Sequence, residues 1–301
     1  MGVVFLLVLA FGPDVIASGP AIDQPEAVAD AIQTPVPTPW LPGSVGVIAL
    51  ALVGASGIWR LRDQSLEERS RIDPLAALGL FLAYMLLSVI AAQVAYAMRG
   101  IENIELTATK DIVIVVGSSY LVQVLMIIGY LMLVVRRPRM SWIRSVGVGV
   151  IAIALTIPIV MGTTAVLRWI MSIVQNEPID QIGHSTLDQM LAAPRDGWLI
   201  MQMLLVTIGA GIVEEVAYRG VVQQGLRSVG IGPWPAIIAT SLIFAGMHAS
   251  VVDAEAIVGL FLLSLALGWA CERTGRLSAC TTMHVLFNAT NLVLAMLLHA
   301  T

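Results

Sequence analysis

Charged side chains are scarce in this chain of 301 residues, since only 12% of its positions are Asp, Glu, Lys or Arg. A soluble globular domain carries about 25%. Hydrophobic residues make up 58% of the sequence, and the mean hydropathy is +0.89. This balance excludes a soluble globular fold and predicts an all-α, polytopic bundle of transmembrane helices.

Cysteine and basic charge are scarce as well. The two cysteines, Cys271 and Cys280, lie near one predicted membrane face, and neither a disulfide framework nor a metal centre follows from them. They are interpreted as free thiols in a reducing compartment. The net charge of −4 is not the basic signature of nucleic-acid binding, so no nucleic-acid partner is expected.

No lysine or arginine precedes Arg60. Residues 1–18 begin with an apolar stretch that is too short to span a membrane, and they are interpreted as a signal peptide or a short N-terminal apolar segment. Residues 19–43 are rich in proline and alanine, which predicts an extracytoplasmic linker of partly polyproline-like structure.

Eight later segments are apolar enough to be transmembrane helices. Residues 44–171 hold the N-terminal helices, 172–197 form an extracytoplasmic loop, and 198–301 hold the C-terminal core. A very short turn between the sixth and seventh spans predicts a tight hairpin. The predicted spans are about 44–59, 75–98, 112–135, 146–171, 198–222, 235–252, 255–271 and 277–299.

Basic residues are distributed unevenly between alternate loops. Twelve of the sixteen lysines and arginines lie in or beside the loops 60–73, 136–145, 223–234 and 272–276, and four lie toward the opposite side. The positive-inside rule makes the first set cytoplasmic. We therefore expect a multi-pass cell-membrane protein with both termini outside.

Three short polar patterns occur in the last apolar third of the chain. Carboxylates and histidines in hydrocarbon are costly unless they are paired or hydrated, so such patterns favour a functional site. The structural alternatives are an interfacial charge cluster at a helix end, and histidines that only bond to a neighbouring helix. The patterns are Glu214-Glu215-x-x-x-Arg219, Phe244-x-x-x-His248 and His284-x-x-x-Asn288.

Helix geometry gives the two glutamates different surroundings. Glu215 and Arg219 are four residues apart with the acid first, which favours an ion pair. Glu214 points about 100° away and has no partner on its own helix, which is the profile of a general base. His284 and Asn288 share one helix face, so both can donate a hydrogen bond to the same small target.

The predicted depth of His248 conflicts with a shared site. Glu214 and His284 lie slightly to the cytoplasmic side of the midpoints of their spans, whereas His248 lies beyond its midpoint, a mismatch of about 10 Å with Glu214. A tilted helix, or a hairpin that does not fully cross, would remove the mismatch. Phe244, one turn before His248, is more typical of core packing than of chemistry.

The order and spacing of the three patterns resemble the CPBP family, also called the Abi family. This family groups type II CAAX prenyl endopeptidases with bacteriocin-processing and bacteriocin-immunity membrane proteins. The stretches EEVAYRG, FAGMH and HVLFN fit its EExxxR, FxxxH and HxxxN/D motifs, and the resemblance covers about residues 198–299. The family often has Phe before the motif arginine, where Tyr218 stands here.

The resemblance implies intramembrane endoproteolysis in a catalytic core at 198–301. It makes Glu214 the base, His248 its water-holding partner, and His284 with Asn288 the donors to the oxyanion. Glu215 and Arg219 become a supporting pair that orients Glu214. The implied partners are the lipid bilayer and a membrane-anchored peptide or protein, either prenylated or a leader peptide, and the active site faces the cytoplasmic side.

Metal use stays open at this point. No cofactor is expected, but Glu214, His248 and His284 are also a plausible zinc set of the His₂Glu type. Two further functions are alternatives: an immunity or scaffold membrane protein of the same fold without activity, and a transporter with a carboxylate proton relay. A transporter would favour inverted repeats with broken helices, and the sequence shows none.

Overall fold

The computed structural model describes residues 39–61, 70–100, 108–135, 138–175 and 185–299. The predicted signal peptide at 1–18 and most of the linker at 19–43 lie outside these ranges. Within them the chain forms nine helices. They are α1 (Trp40–Ser56), α2 (Pro74–Arg99), α3 (Thr109–Leu133), α4 (Trp142–Gln175), α5 (Ser185–Ala192), α6 (Gly197–Ser228), α7 (Pro233–Gly246), α8 (Ala254–Thr274) and α9 (Leu277–His299).

The helices confirm the predicted all-α membrane bundle. Each of the eight predicted spans overlaps one helix, although the helix in the predicted span 235–252 ends at Gly246. Six helices, α2, α3, α4, α6, α8 and α9, are long and apolar enough to cross a membrane, whereas α1 and α7 are shorter apolar helices of 17 and 14 residues. The ninth helix, α5, lies within the segment predicted as the loop 172–197.

Small residues allow the helices to approach closely. A Cβ atom on Gly46 of α1 would lie 2.9 Å from the carbonyl oxygen of Pro158 in α4, and one on Gly149 of α4 would lie 2.5 Å from the carbonyl oxygen of Ala279 in α9. Such contacts are typical of helix packing in membranes, where backbones meet at glycine and alanine. They fix α4 between α1 and α9.

Helix α6 is irregular at two places. Its hydrogen-bonding pattern changes to that of a π-helix over Leu205–Gly209 and over Val216–Gln223. The regular turn between them, Ala210–Glu215, ends with the two glutamates. Because a π-helical turn contains an extra residue and is frequent at functional sites, these segments change which residues share a helix face. Simple helical spacing could not predict this change.

A buried ionic network joins three elements at one end of the bundle. Arg227 of α6 donates to Glu272 of α8 at 3.1 Å, and Arg139, from the α3–α4 connection, donates to the carbonyl oxygen of Glu272. Arg273 reaches the carbonyl oxygen of Arg60. Arginines from all four loops that were predicted to share a membrane face therefore meet at the same end of the molecule.

Candidate active site

The structure brings Glu214, His248 and His284 together from three different helices or turns. Glu214 Oε2 lies 3.8 Å from His248 Nε2 and 3.9 Å from His284 Nε2. Each of the three residues is only 4% exposed. We refer to these three residues as the Glu–His cluster.

The short helix α7 removes the predicted depth mismatch of His248. Its 14 residues span about 21 Å, less than the roughly 30 Å of hydrocarbon in a bilayer. Helix α7 is therefore too short to cross the hydrocarbon by itself, and His248 lies in the turn that follows it, with its backbone N–H bonded to the carbonyl oxygen of Ala245. The turn places His248 Nε2 3.8 Å from Glu214 Oε2, so the predicted mismatch in depth is absent.

The carbonyl oxygen of Phe244 orients the ring of His248. His248 Nδ1 lies 2.7 Å from this oxygen. Because a carbonyl oxygen only accepts, Nδ1 carries the proton and donates it. In the neutral imidazole, Nε2 is then a free acceptor directed at Glu214.

Glu215 holds His284 in a similar way. His284 Nδ1 donates to Glu215 Oε1 at 2.8 Å, and Arg219 donates to the same oxygen at 2.9 Å. The ion pair predicted from the spacing of Glu215 and Arg219 is thus present. The resemblance implied that this ion pair orients Glu214. In the structure, Glu215 instead contacts His284 of α9. A helix crossing creates this contact, so spacing within α6 could not predict it.

A glycine lets α6 and α9 come close enough for this contact. A Cβ atom on Gly211 would lie 2.7 Å from Val285 Cγ2 and 3.2 Å from its backbone nitrogen. Gly211 is one turn before Glu215, and Val285 follows His284. The glycine therefore sets the distance between the carboxylate and the imidazole that it orients.

Arg219 and Phe244 pack next to the Glu–His cluster. Arg219 is fully buried, donates to Ser264 Oγ at 2.6 Å, and has its guanidinium carbon 4.8 Å from the centre of the Phe244 ring. The same ring lies 4.6 Å from the His248 ring and 5.9 Å from the His284 ring. Phe244 is thus a packing residue in contact with both histidines, in agreement with the expectation from its sequence position.

Asn288 lies one turn beyond His284 and is half-buried. Its side-chain nitrogen donates to the carbonyl oxygen of Val206, in the first π-helical segment of α6, at 3.0 Å. One of its two amide hydrogens is therefore engaged with the backbone. The second is available to another acceptor.

Glu214 Oε2 has no hydrogen-bond partner among the residues that the structure describes. Buried polar atoms are nearly always hydrogen-bonded, and an orphaned one is destabilising by about 1–3 kcal/mol. The 3.8–3.9 Å separations from the two imidazoles are too long for direct hydrogen bonds but suit a bridging water. The arrangement therefore has the composition of a water-activating site.

Sequence reasoning missed three residues around the cluster. Ser264 anchors Arg219, and it is marked in the sequence only as a lone hydroxyl in the apolar run FLLSLALG. Tyr84 and Tyr120, in α2 and α3, interact electrostatically with Glu214. No motif indicated them, because they lie about a hundred residues before the glutamate.

The cluster has the donor types of a zinc site but a wider spacing. Zinc bonds of about 2.0–2.1 Å in a tetrahedron place neighbouring donor atoms roughly 3.3 Å apart. The Glu214–histidine separations exceed that by about half an ångström. Among the described residues, no group of three or more His, Cys, Asp or Glu side chains is arranged to hold a metal ion. The cluster as it stands does not fit zinc.

Comparison with protein-family models gives a match in the C-terminal core. Residues 196–290 match the family described as Rce1-like, type II CAAX prenyl endopeptidase Rce1-like. The chain therefore contains an Rce1-like domain, which confirms the predicted resemblance. This is a protease family, so the match supports an endopeptidase. Neither the search of curated proteins nor that of solved structures gave a match.

Proposed function

We propose that the protein is an intramembrane endopeptidase that hydrolyses a peptide bond of a membrane-associated substrate. The observation that carries this proposal is the convergence of Glu214 Oε2 with the Nε2 atoms of His248 and His284 at 3.8 and 3.9 Å inside an Rce1-like domain. A water bound between Glu214 and His248 lies between two acceptors, which orient it and raise its nucleophilicity.

Each side chain has one role in the proposed reaction. Glu214 takes a proton from the water as it attacks the carbonyl carbon, and it later returns that proton to the leaving amine. His248 Nε2 accepts the second water hydrogen. His284, with Nδ1 held by Glu215, donates from a protonated Nε2 to the oxyanion, and Asn288 donates its second amide hydrogen.

The buried pair of Glu215 and Arg219 prepares His284 for this role. Glu215 Oε1 fixes the orientation of the imidazole by a 2.8 Å bond. Arg219 in turn fixes Glu215. We therefore assign the pair to orienting His284, in place of the orientation of Glu214 suggested by the resemblance.

The proposed mechanism uses no metal, because the donor atoms are spaced for a bridging water and not for zinc. The test uses detergent-purified protein with two probes, a peptide with a prenylated cysteine near its C-terminus and a leader peptide with an apolar anchor. We expect cleavage of one probe, incorporation of oxygen-18 from labelled water into the new carboxylate, and unchanged rates with a chelator.

The outcomes separate the alternatives. Loss of cleavage on chelation, restored by zinc, would replace the metal-free mechanism by a zinc-dependent one. Absence of cleavage of both probes by well-folded protein would contradict the peptidase assignment and favour a non-enzymatic immunity or scaffold protein. The probe that is cleaved distinguishes a prenylated substrate from a leader peptide.

The arginine-rich end of the bundle is proposed to face the cytoplasm of a cell membrane. At this end, hydrogen bonds join the segments that carry Arg60, Arg139, Arg227 and Arg273. The positive-inside rule supports this orientation. Glu214 is 13 residues from Arg227 along α6, which is at most about 20 Å, so the site is separated from this end by several helical turns.

A further inference from the structure

Helix α3 runs parallel to α6 and reaches the depth of Glu214. Near the start of both helices, Lys110 Nζ lies 5.6 Å from the centre of the Trp198 ring. Further along, the Tyr120 ring packs on Gly209, where a Cβ atom would come within 2.7 Å of it. In this register Tyr120 is about five residues, or roughly 7 Å, before Glu214 along the helix axes.

Helix α2 runs antiparallel to α3 and places Tyr84 at a similar depth. A Cβ atom on Gly129 of α3 would lie 2.9 Å from Leu80 Cδ1, and Gln123 of α3 donates to Ser88 Oγ at 2.8 Å. Tyr84 lies one turn from Leu80 and one turn from Ser88. It therefore faces the middle of the bundle, level with the Glu–His cluster.

A chain of aromatic contacts holds Tyr84 against the site. Its ring centre is 5.9 Å from that of Phe81, which is 5.9 Å from Tyr218, which is 5.1 Å from Phe244. Phe244 contacts both histidines of the cluster. Tyr84 is 5% exposed, so packing fixes the position of its ring.

Polar atoms on both sides of this region need a partner. Glu214 interacts electrostatically with the hydroxyls of Tyr84 and Tyr120. Gln123 is 4% exposed, and its Oε1, like Glu214 Oε2, has no hydrogen-bond partner in the described part of the chain. Because buried polar groups are nearly always satisfied, each of these two acceptors is available to a polar ligand.

We propose that Tyr84 and Tyr120 are substrate-positioning residues, so that α2 and α3 form the wall of the site opposite the Glu–His cluster. This inference rests on the proposed peptidase function. An extended peptide presents alternating N–H and C=O groups, to which tyrosine hydroxyls can donate and from which Gln123 Oε1 can accept. Both tyrosines lie outside residues 196–290, so the functional site extends beyond the Rce1-like domain.

The kinetic test compares Tyr84→Phe and Tyr120→Phe with Tyr96→Phe. Tyr96 is a matched control, because it is also buried in α2 but lies 12 residues, about 18 Å, from Tyr84. Each substitution keeps the ring and removes only the hydroxyl. With whichever of the two probes is cleaved, we expect KM to rise roughly three- to tenfold for Tyr84→Phe and Tyr120→Phe, with kcat within about twofold and an unchanged Tm.

A second measurement does not depend on activity. The infrared carboxylate band of Glu214 is assigned by its loss in Glu214→Gln. Removing a hydroxyl whose dipole acts on this carboxylate should move the band in Tyr84→Phe and Tyr120→Phe and leave it in place in Tyr96→Phe. A substitution with a purely structural effect would instead lower Tm.

These outcomes separate the inference from the proposed function. If the wild type cleaves a probe but the two variants match Tyr96→Phe in KM and in the infrared band, the inference is overturned and the peptidase stands. If the wild type cleaves neither probe while the band still moves, the peptidase fails and the substrate-positioning role fails with it, although both hydroxyls then lie beside Glu214. An unmoved band in both variants overturns the inference whatever the activity.

Discussion

Arg219 connects three parts of the site through one guanidinium. It is fully buried, pairs with Glu215, donates to Ser264 and lies over the ring of Phe244. The planar fork of arginine suits simultaneous bonds and ring stacking, which a lysine ammonium cannot reproduce. Arg219 therefore links α6, α7 and α8 next to the Glu–His cluster.

The substitution Arg219→Lys tests this linking role. It keeps the positive charge but loses at least one charged hydrogen bond, so we expect a loss of about 1.5–3 kcal/mol in the free energy of unfolding. Thermal unfolding in detergent measures the effect. Arg195→Lys, at an exposed position, is the control and should stay within about 0.5 kcal/mol of the wild type. Equal Tm values for the two variants would contradict the role.

At this scale the sequence predicted what a single helix determines. The pairing of Glu215 with Arg219 follows from a spacing of four residues on α6. The bonds of Glu215 to His284 and of Arg219 to Ser264 join residues 69 and 45 positions apart. They depend on how helices cross, so no local pattern could predict them.

Irregular or short helices position the chemistry at the scale of elements. The π-helical segments of α6 flank the turn with the two glutamates, and the early end of α7 brings His248 to the depth of Glu214. Hydrophobicity predicted that both elements exist. It could not predict that α7 ends at Gly246, because apolar residues continue beyond that position.

The α6–α9 contact at Gly211 provides a prediction at this scale. In Gly211→Ala the new methyl group meets Val285, so the helices must separate and Glu215 must move away from His284. We expect a stability loss of about 1–3 kcal/mol and a fall in kcat. Thermal unfolding and peptide cleavage measure the two effects.

Gly147→Ala is the matched control for that variant. Gly147 lies within α4, where an added Cβ atom meets nothing within 4 Å. Alanine is favoured over glycine in a helix, so this variant should be as stable as the wild type or slightly more stable. If Gly211→Ala behaves in the same way, close packing of α6 on α9 does not set the site geometry.

The whole molecule is a multi-pass membrane protein whose polar site lies inside a mostly apolar bundle. Length and hydropathy predicted the helices well, because a bilayer requires long apolar segments with internally bonded backbones. Length and hydropathy do not predict which helices pack against one another. The approach of α2 and α3 to Glu214 therefore became visible only in the assembled structure.

Topology provides the prediction at the molecular scale. Val229, exposed at the arginine-rich end, and Ala192, exposed in α5, are replaced singly by cysteine. A membrane-impermeant maleimide on intact cells should label Ala192→Cys and leave Val229→Cys unlabelled until the cells are opened. The native Cys271 and Cys280 are buried and give little background. The reverse pattern would contradict the proposed cytoplasmic face.

The central claim is that the Glu214 carboxylate activates the water that cleaves the substrate, and the rate of probe cleavage by Glu214→Gln tests it most directly. Asp111→Asn, the same carboxylate-to-amide change in a partly exposed ion pair, is the control. We predict a rate loss of roughly 10²–10⁴-fold or more for Glu214→Gln, with a wild-type Tm, and full activity for Asp111→Asn. Cleavage by Glu214→Gln at the wild-type rate would contradict the mechanism.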